Sequence, residues 1–170
     1  MRRLAASTLA VLATACSPAR SAGPGPAGSA VVAHPVDGDT VVVEIGGHEE
    51  PVRLIGVDTP ESVARDRPVE RFGPEAKART AELLPPGTAV RLERDVEARD
   101  RYGRLLAYVV RVQDGVLVNL LLVEEGFAES YRFAPNLAHQ ADFDAAEARA
   151  RRDHRGLWPV CGSTDVPIGR

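Results

Sequence analysis

The sequence predicts an α+β domain that is mainly β: a small five-stranded Greek-key barrel carrying three helices. Three observations predict it. Short β-branched runs bounded by Gly, Asp and Pro recur through the front of the chain, one helical stretch interrupts them, and the back of the chain turns helical. Val31 to Val36, Thr40 to Ile45 and Val52 to Val57 read as a β-meander, with Gly46-Gly47 as the turn between the second and third strands. Glu75 to Leu84 reads as a helix, opened by Pro74 near its first turn and stopped by Pro85-Pro86-Gly87. Ala89 to Val96 and Leu105 to Val112 are two further strands, the second ending at the turn Gln113-Asp114-Gly115. Val118 to Glu125 is a short helix ended by Gly126. Leu137 to Arg155 is a longer one, entered after Pro135-Asn136 and stopped by Gly156. In that last helix Leu137, Ala141, Ala145 and Ala148 recur every three or four residues, which puts them on one core-facing side.

At 170 residues, with 44% hydrophobic content, the chain is sized for one domain plus a tail. Met1-Arg2-Arg3, the apolar stretch Leu4 to Ala13 and the small residues Ala13-Thr14-Ala15 have the layout of an export signal over residues 1–15, too short in apolar length to stay in a membrane. The expected location is therefore extracytoplasmic. Cys16 directly after that site suggests a lipoprotein anchored at the outer face of the cell membrane. Plain secretion is the alternative, because Ala13 stands where a Leu is usual. Residues 16–30, rich in Pro, Gly and Ser, read as a flexible tether. The folded domain is expected over 31–158, and residues 159–170, with little periodicity, as a loose C-terminal tail. The second cysteine, Cys161, is left unpaired if Cys16 is lipidated, or paired with Cys16 through the tether if it is not. Neither spacing resembles a zinc site.

Charge narrows the partners. The chain has 21 basic and 24 acidic residues; beyond Ala15 the basic count is 19, so the exported part carries −5. A nucleic-acid binder that works by counterion release presents a basic face. Any attraction to nucleic acid must here come from a local arginine cluster and a metal ion, which predicts modest affinity and strong salt sensitivity.

Three stretches carry the chemistry: Val36-Asp37-Gly38-Asp39-Thr40-Val41, then Arg53 through Glu61 (RLIGVDTPE), then Asp100 through Tyr108 (DRYGRLLAY). Each sets carboxylates or arginines into an apolar strand-like run. Taken singly, Asp37-Gly38 is also an ordinary hairpin turn, Asp58 to Glu61 a strand end, and Asp100 to Arg104 a solvated charged loop. Together they supply oxygen ligands for a hard cation, a base, and two guanidinium groups for a phosphate, which is what a metal-dependent phosphodiesterase requires.

In their order and spacing these stretches resemble the thermonuclease, or staphylococcal nuclease, family over about Val31 to Trp158. The likeness extends to Arg71-Phe72-Gly73-Pro74-Glu75-Ala76, Val118-Asn119, Ala134-Pro135-Asn136 and Gly156-Leu157-Trp158. The resemblance implies an OB-like barrel with three helices, and Ca²⁺-dependent hydrolysis of DNA and RNA, preferably single-stranded, that leaves 3′-phosphates. It further implies that Asp39 and Asp58, with the Thr59 carbonyl, hold the Ca²⁺. Arg53 and Arg104 would grip the scissile phosphate, and Glu61 would act as the base or as an electrostatic positioner of the attacking water. Tyr102 and Tyr131 would line the nucleotide pocket. Phe133 stands where the family often has a second pocket tyrosine, and the loop Ser62 to Arg71 carries arginines where lysines are common. The four histidines have no spacing that closes a metal site. A monomer is expected. The alternative of another class is an OB-type module that binds nucleic acid or a cell-envelope partner without catalysis; the presence of Asp39, Arg53, Asp58, Glu61 and Arg104 together argues against it.

Overall fold

Burial of every second residue along short valine-rich strands builds the barrel. In the computed structural model, which describes residues 30–63 and 68–167, Ala30 and Val32 of β1 (Ala30–Pro35), Val41 and Val43 of β2 (Thr40–Ile45), and Val52 and Leu54 of β3 (His48–Leu54) are buried. They meet Val90 of β5 (Ala89–Glu93) and the continuous buried run Leu106 to Val110 of β6 (Leu105–Arg111). A run buried on both faces is expected of a strand covered on its outer side, and here α2 (Val118–Glu124) packs against β6. The strand order β1-β2-β3-β6-β5 closes on itself, with β3–β6 the one parallel pair, so the described residues form the expected five-stranded OB-like barrel of a mainly β, α+β domain.

The third strand departs from expectation. In place of Val52 to Val57 there are two elements, β3 and the two-residue β4 (Val57–Asp58), which pairs antiparallel with β7 (Glu129–Ser130) in a separate small sheet. Gly56, at φ +80°, breaks the run; a Cβ there would strike the ring of Phe143, so the kink and the close helix approach both need glycine. Pro51 sits within β3, but β3 meets β6 only over Val52–Leu54, so its missing N–H removes no bond on that side. Strand β5, expected over Ala89 to Val96, ends at Glu93. Asp95 turns away to accept hydrogen bonds from the Tyr108 hydroxyl (3.2 Å) and Ala138 N–H (2.9 Å), and Val96 is exposed.

Helix α1 (Gly73–Leu83) starts with Pro74 in its first turn, and its Arg79 joins Glu125 at 2.7 Å. Helix α3 (Gln140–Arg152) begins after a turn over Leu137–His139, and its buried face is Phe143, Ala146 and Ala150. Ala141, Ala145 and Ala148 point outward, contrary to the sequence reading: alanines occur all round this helix, and the single large ring, Phe143, sets which side faces the core. His139 stacks edge-on against Tyr108 at 4.5 Å, a packing role. The tail is also not loose as far as it is described. Cys161 is a half-buried free thiol whose pKa burial pushes up, Thr164 is buried, and Arg71 N–H donates to Val166 O at 2.6 Å. No described helix is long and apolar enough to cross a membrane. The export signal, Cys16, the tether up to Ser29, residues 64–67 of the loop and residues 168–170 lie outside the described residues.

Candidate active site

Strand register gathers three distant segments. Thr40 lies opposite Arg53 across β2–β3, and Arg53 opposite Leu106 across β3–β6, so one row over three strands brings together the β1–β2 turn, the end of β3 and the lead-in to β6. The β1–β2 turn is fixed from outside. Thr80 of α1 donates its hydroxyl to Gly38 O at 2.6 Å, and Thr59 packs so closely on Gly38 that any Cβ there would collide with it. Neither Asp37 nor Gly38 has a positive φ, and Gly38 serves by close approach.

Arg53 is the hub. Only 7% exposed, it donates through Nη1 to Leu54 O (2.7 Å) and Val57 O (3.0 Å), one carbonyl on each side of the Gly56 kink. Its Nη2 lies 2.9 Å from Asp39 Oδ2 and 3.1 Å from Asp58 Oδ1. Two carboxylates from different elements therefore point at one locus, with Asp39 further held by the Thr40 hydroxyl at 2.9 Å. A planar, five-donor guanidinium satisfies this set; an ammonium lacks the fork.

Arg104 has its own anchor. Asp100 takes its Nε at 2.7 Å and accepts the Tyr102 and Arg104 backbone N–H groups at 2.9 and 3.0 Å, while Arg104 Nη1 reaches Thr40 Oγ1 at 3.4 Å. Burial works against the Asp100 charge, but the side-chain and backbone hydrogen bonds from Arg104 outweigh it, so its carboxyl lies below the usual range. Tyr102 is 68% exposed, with the Arg101 and Arg104 guanidiniums 4.8 and 5.6 Å from its ring centre. Tyr131, 48% exposed, stands edge-on to Phe133 at 6.0 Å, and its N–H binds Gly56 O.

Glu61 closes the set. Its Oε1 accepts Val63 N–H at 3.0 Å, and its own N–H donates to the buried carboxylate of Glu70 at 2.8 Å. All eight residues singled out from the sequence, Asp39, Arg53, Asp58, Thr59, Glu61, Tyr102, Arg104 and Tyr131, line one open cleft of about 670 Å³. Sequence reasoning missed Asp37, Thr40, Glu97, Arg101 and Asp165 as lining groups and Asp100 as the holder of Arg104. The Asp100–Arg104 spacing of four was a visible signal for the last.

For a metal, the described residues gather no group of three or more His, Cys, Asp or Glu. They offer two converging carboxylates and the neighbouring Thr59 backbone, all oxygen donors, which suits a hard cation that completes its shell with water and phosphate oxygens.

Comparison with known proteins agrees with this geometry. The family model described as staphylococcal nuclease homologue matches residues 51–160. The thermonuclease of Staphylococcus hyicus is 38% identical over 123 residues, covering 72% of this chain and 71% of that protein. The thermonuclease of Staphylococcus intermedius is 38% identical over 130 residues, covering 76% of each. Endonuclease YncB of Bacillus subtilis is 38% identical over 129 residues, 75% of this chain and 60% of that protein. With the barrel, the cleft and these matches in agreement, the chain belongs to the staphylococcal nuclease family.

Proposed function

We propose that this chain is a Ca²⁺-dependent endonuclease that hydrolyses DNA and RNA, preferably single-stranded, breaking the bond to the 5′ oxygen and leaving a 3′-phosphate. The observation that carries the reading is the pair of arginines, each already anchored by carboxylates, that opens into one cleft with Asp39, Asp58 and Glu61. Anchored guanidiniums stabilise charge as it builds on the phosphate without reorganising first, which is where phosphodiester hydrolysis gains most. Arg53 and Arg104 bind nonbridging oxygens of the scissile phosphate. Glu61 takes the proton of the attacking water or holds that water in line, and the departing 5′ oxygen gains a proton. Asp39, Asp58 and the Thr59 carbonyl would hold Ca²⁺, which would supply charge neutralisation for the phosphate and make water more acidic. Tyr102 and Tyr131 stack on bases, a sequence-tolerant contact.

The protein acts outside the cytoplasm, released by plain secretion or tethered through a lipid on Cys16, a location that rests on the Met1 to Ala15 pattern, and a monomer is part of the same proposal. The test is hydrolysis of single-stranded DNA and RNA with Ca²⁺, with chelator, and by Glu61→Ala and Arg104→Ala. Cleavage should require Ca²⁺, fall by roughly 10² to 10⁴ in either variant, and leave 3′ ends that a phosphatase alters. Undiminished cleavage in chelator refutes the metal role. A folded protein that binds nucleic acid and never cleaves it supports the binding-module alternative.

A further inference from the structure

The family match ends at residue 160, but the ordered chain continues into the cleft. Thr164, buried, donates its N–H to Glu129 Oε1 at 2.9 Å and its hydroxyl to Oε2 at 3.3 Å. Glu129 is the β7 residue directly opposite Asp58 of β4. The next residue, Asp165, adopts φ +60° and lines the cleft, and its N–H lies 3.3 Å from Glu70 Oε2. That same oxygen accepts the Glu61 N–H at 2.8 Å, and Glu70 N–H returns to Glu61 O at 2.8 Å. Glu70 also bridges to Pro167, and Arg71 N–H donates to Val166 O at 2.6 Å.

Glu70 is 5% exposed. A buried carboxylate is costly unless hydrogen-bonded, and among the described residues this one is met by backbone N–H groups of two segments, one carrying Glu61 and one belonging to the C-terminal stretch. It is a junction between them. Resting on the nuclease reading above, we infer that residues 163–167 are a strap that positions the reactive carboxylates. Glu70 fixes the backbone at Glu61, and Thr164 braces Glu129 behind Asp58. Neither touches the reacting atoms, so both are positioning residues. Such a role matters because a displacement near 1 Å in a reacting group costs on the order of a hundredfold in rate.

The test measures kcat and KM on single-stranded DNA with Ca²⁺, together with amide hydrogen exchange, for the full chain and for Glu70→Ala, Glu70→Gln and Thr164→Val. Glu70→Ala should lower kcat by roughly tenfold to a hundredfold with KM within about twofold, and speed exchange at the Glu61 amide while Val43 and Val109 stay protected. Glu70→Gln keeps an acceptor oxygen and should restore most of the rate. Thr164→Val should lower kcat by about threefold. Wild-type kcat in Glu70→Ala overturns the inference. So does an equal loss in Gln and Ala with protection lost across the barrel, which would make Glu70 a stability residue only. If Glu70→Ala does not fold, Thr164→Val decides, and a wild-type rate there overturns the strap. An inert wild-type protein would overturn the nuclease reading instead, and Glu61 exchange indifferent to Glu70→Gln and Glu70→Ala alike would then overturn the strap separately.

Discussion

Asn119 ties the barrel to the kink that presents Asp58, and its removal should be among the costlier single changes in the chain. Fully buried on α2, it accepts the Val109 N–H at 2.8 Å and donates to Ile55 O at 2.9 Å and Ala107 O at 3.2 Å. Ala107 O keeps a second donor, Ile55 N–H, so Asn119→Ala orphans two groups: the Val109 N–H and the Ile55 carbonyl. At about 1–3 kcal/mol per buried group left unsatisfied, the loss is about 2–6 kcal/mol, a large part of the 5–15 kcal/mol typical of a domain. Asn119→Leu fills the same space and orphans the same groups, so its cost should match that of Asn119→Ala to within about 1 kcal/mol. Asn119→Asp keeps the acceptor but turns a carboxylate toward two carbonyls, and should be at least as damaging. Urea unfolding of the three variants measures each difference. A near-native Asn119→Leu would refute the reasoning, since lost packing, not lost hydrogen bonds, would then explain the alanine variant.

Asp100→Asn should lower kcat about tenfold by loosening Arg104, whose Nε it holds. Because the folded carboxyl titrates below its ordinary value of 3.8, its stabilisation is complete above that pH and is lost as pH falls through the lower folded value. The stability gap between wild type and Asp100→Asn should therefore shrink in acid, and a gap that stays flat from about pH 6 to about pH 2 would show that the Asp100 charge is not what Arg104 uses. Tyr102→Ala, which removes the most exposed ring of the cleft, should weaken substrate binding by about 1–3 kcal/mol, seen as a raised KM with little change in kcat; an unchanged KM would remove Tyr102 from the substrate path.

Much of the barrel is legible in the sequence because its cause is local. β1 and β2 are runs rich in valine bounded by turn residues, and turns fall at Asp37-Gly38 and Gly46-Gly47. What the sequence hides is set by contacts far along the chain. Gly56 looks like a residue inside a strand until Phe143 of α3 is seen against it, and that contact splits β3 from β4. The buried side of α3 was misread because alanine spacing is ambiguous when alanines occur on every side. The charged cleft residues were legible as interruptions of apolar runs, whereas Thr59, Tyr102 and Tyr131 were legible only through the family resemblance. Asp165 and Thr164 sit in a stretch without periodicity, and the carboxylates of Glu70 and Glu129, far away in sequence, help give them a place.

The charge balance of the cleft ties its parts to one condition. Among the described lining residues are seven carboxylates, Asp37, Asp39, Asp58, Glu61, Glu97, Asp100 and Asp165, against three arginines, Arg53, Arg101 and Arg104. Arg53 spends its Nη2 on Asp39 and Asp58, and Arg104 its Nε on Asp100. A phosphodiester entering this cleft meets net negative charge on a chain that is itself acidic, so long-range attraction cannot gather the substrate as it does for a basic nucleic-acid binder. The same carboxylates that repel an anion are hard oxygen donors for a divalent cation, and each positive charge added beside Asp39 and Asp58 offsets that repulsion at the place where the phosphate must sit. On the proposed cation-dependent reading, substrate binding and the chemical step share one requirement, in an acidic cleft where Arg53 and Arg104 are already held by carboxylates.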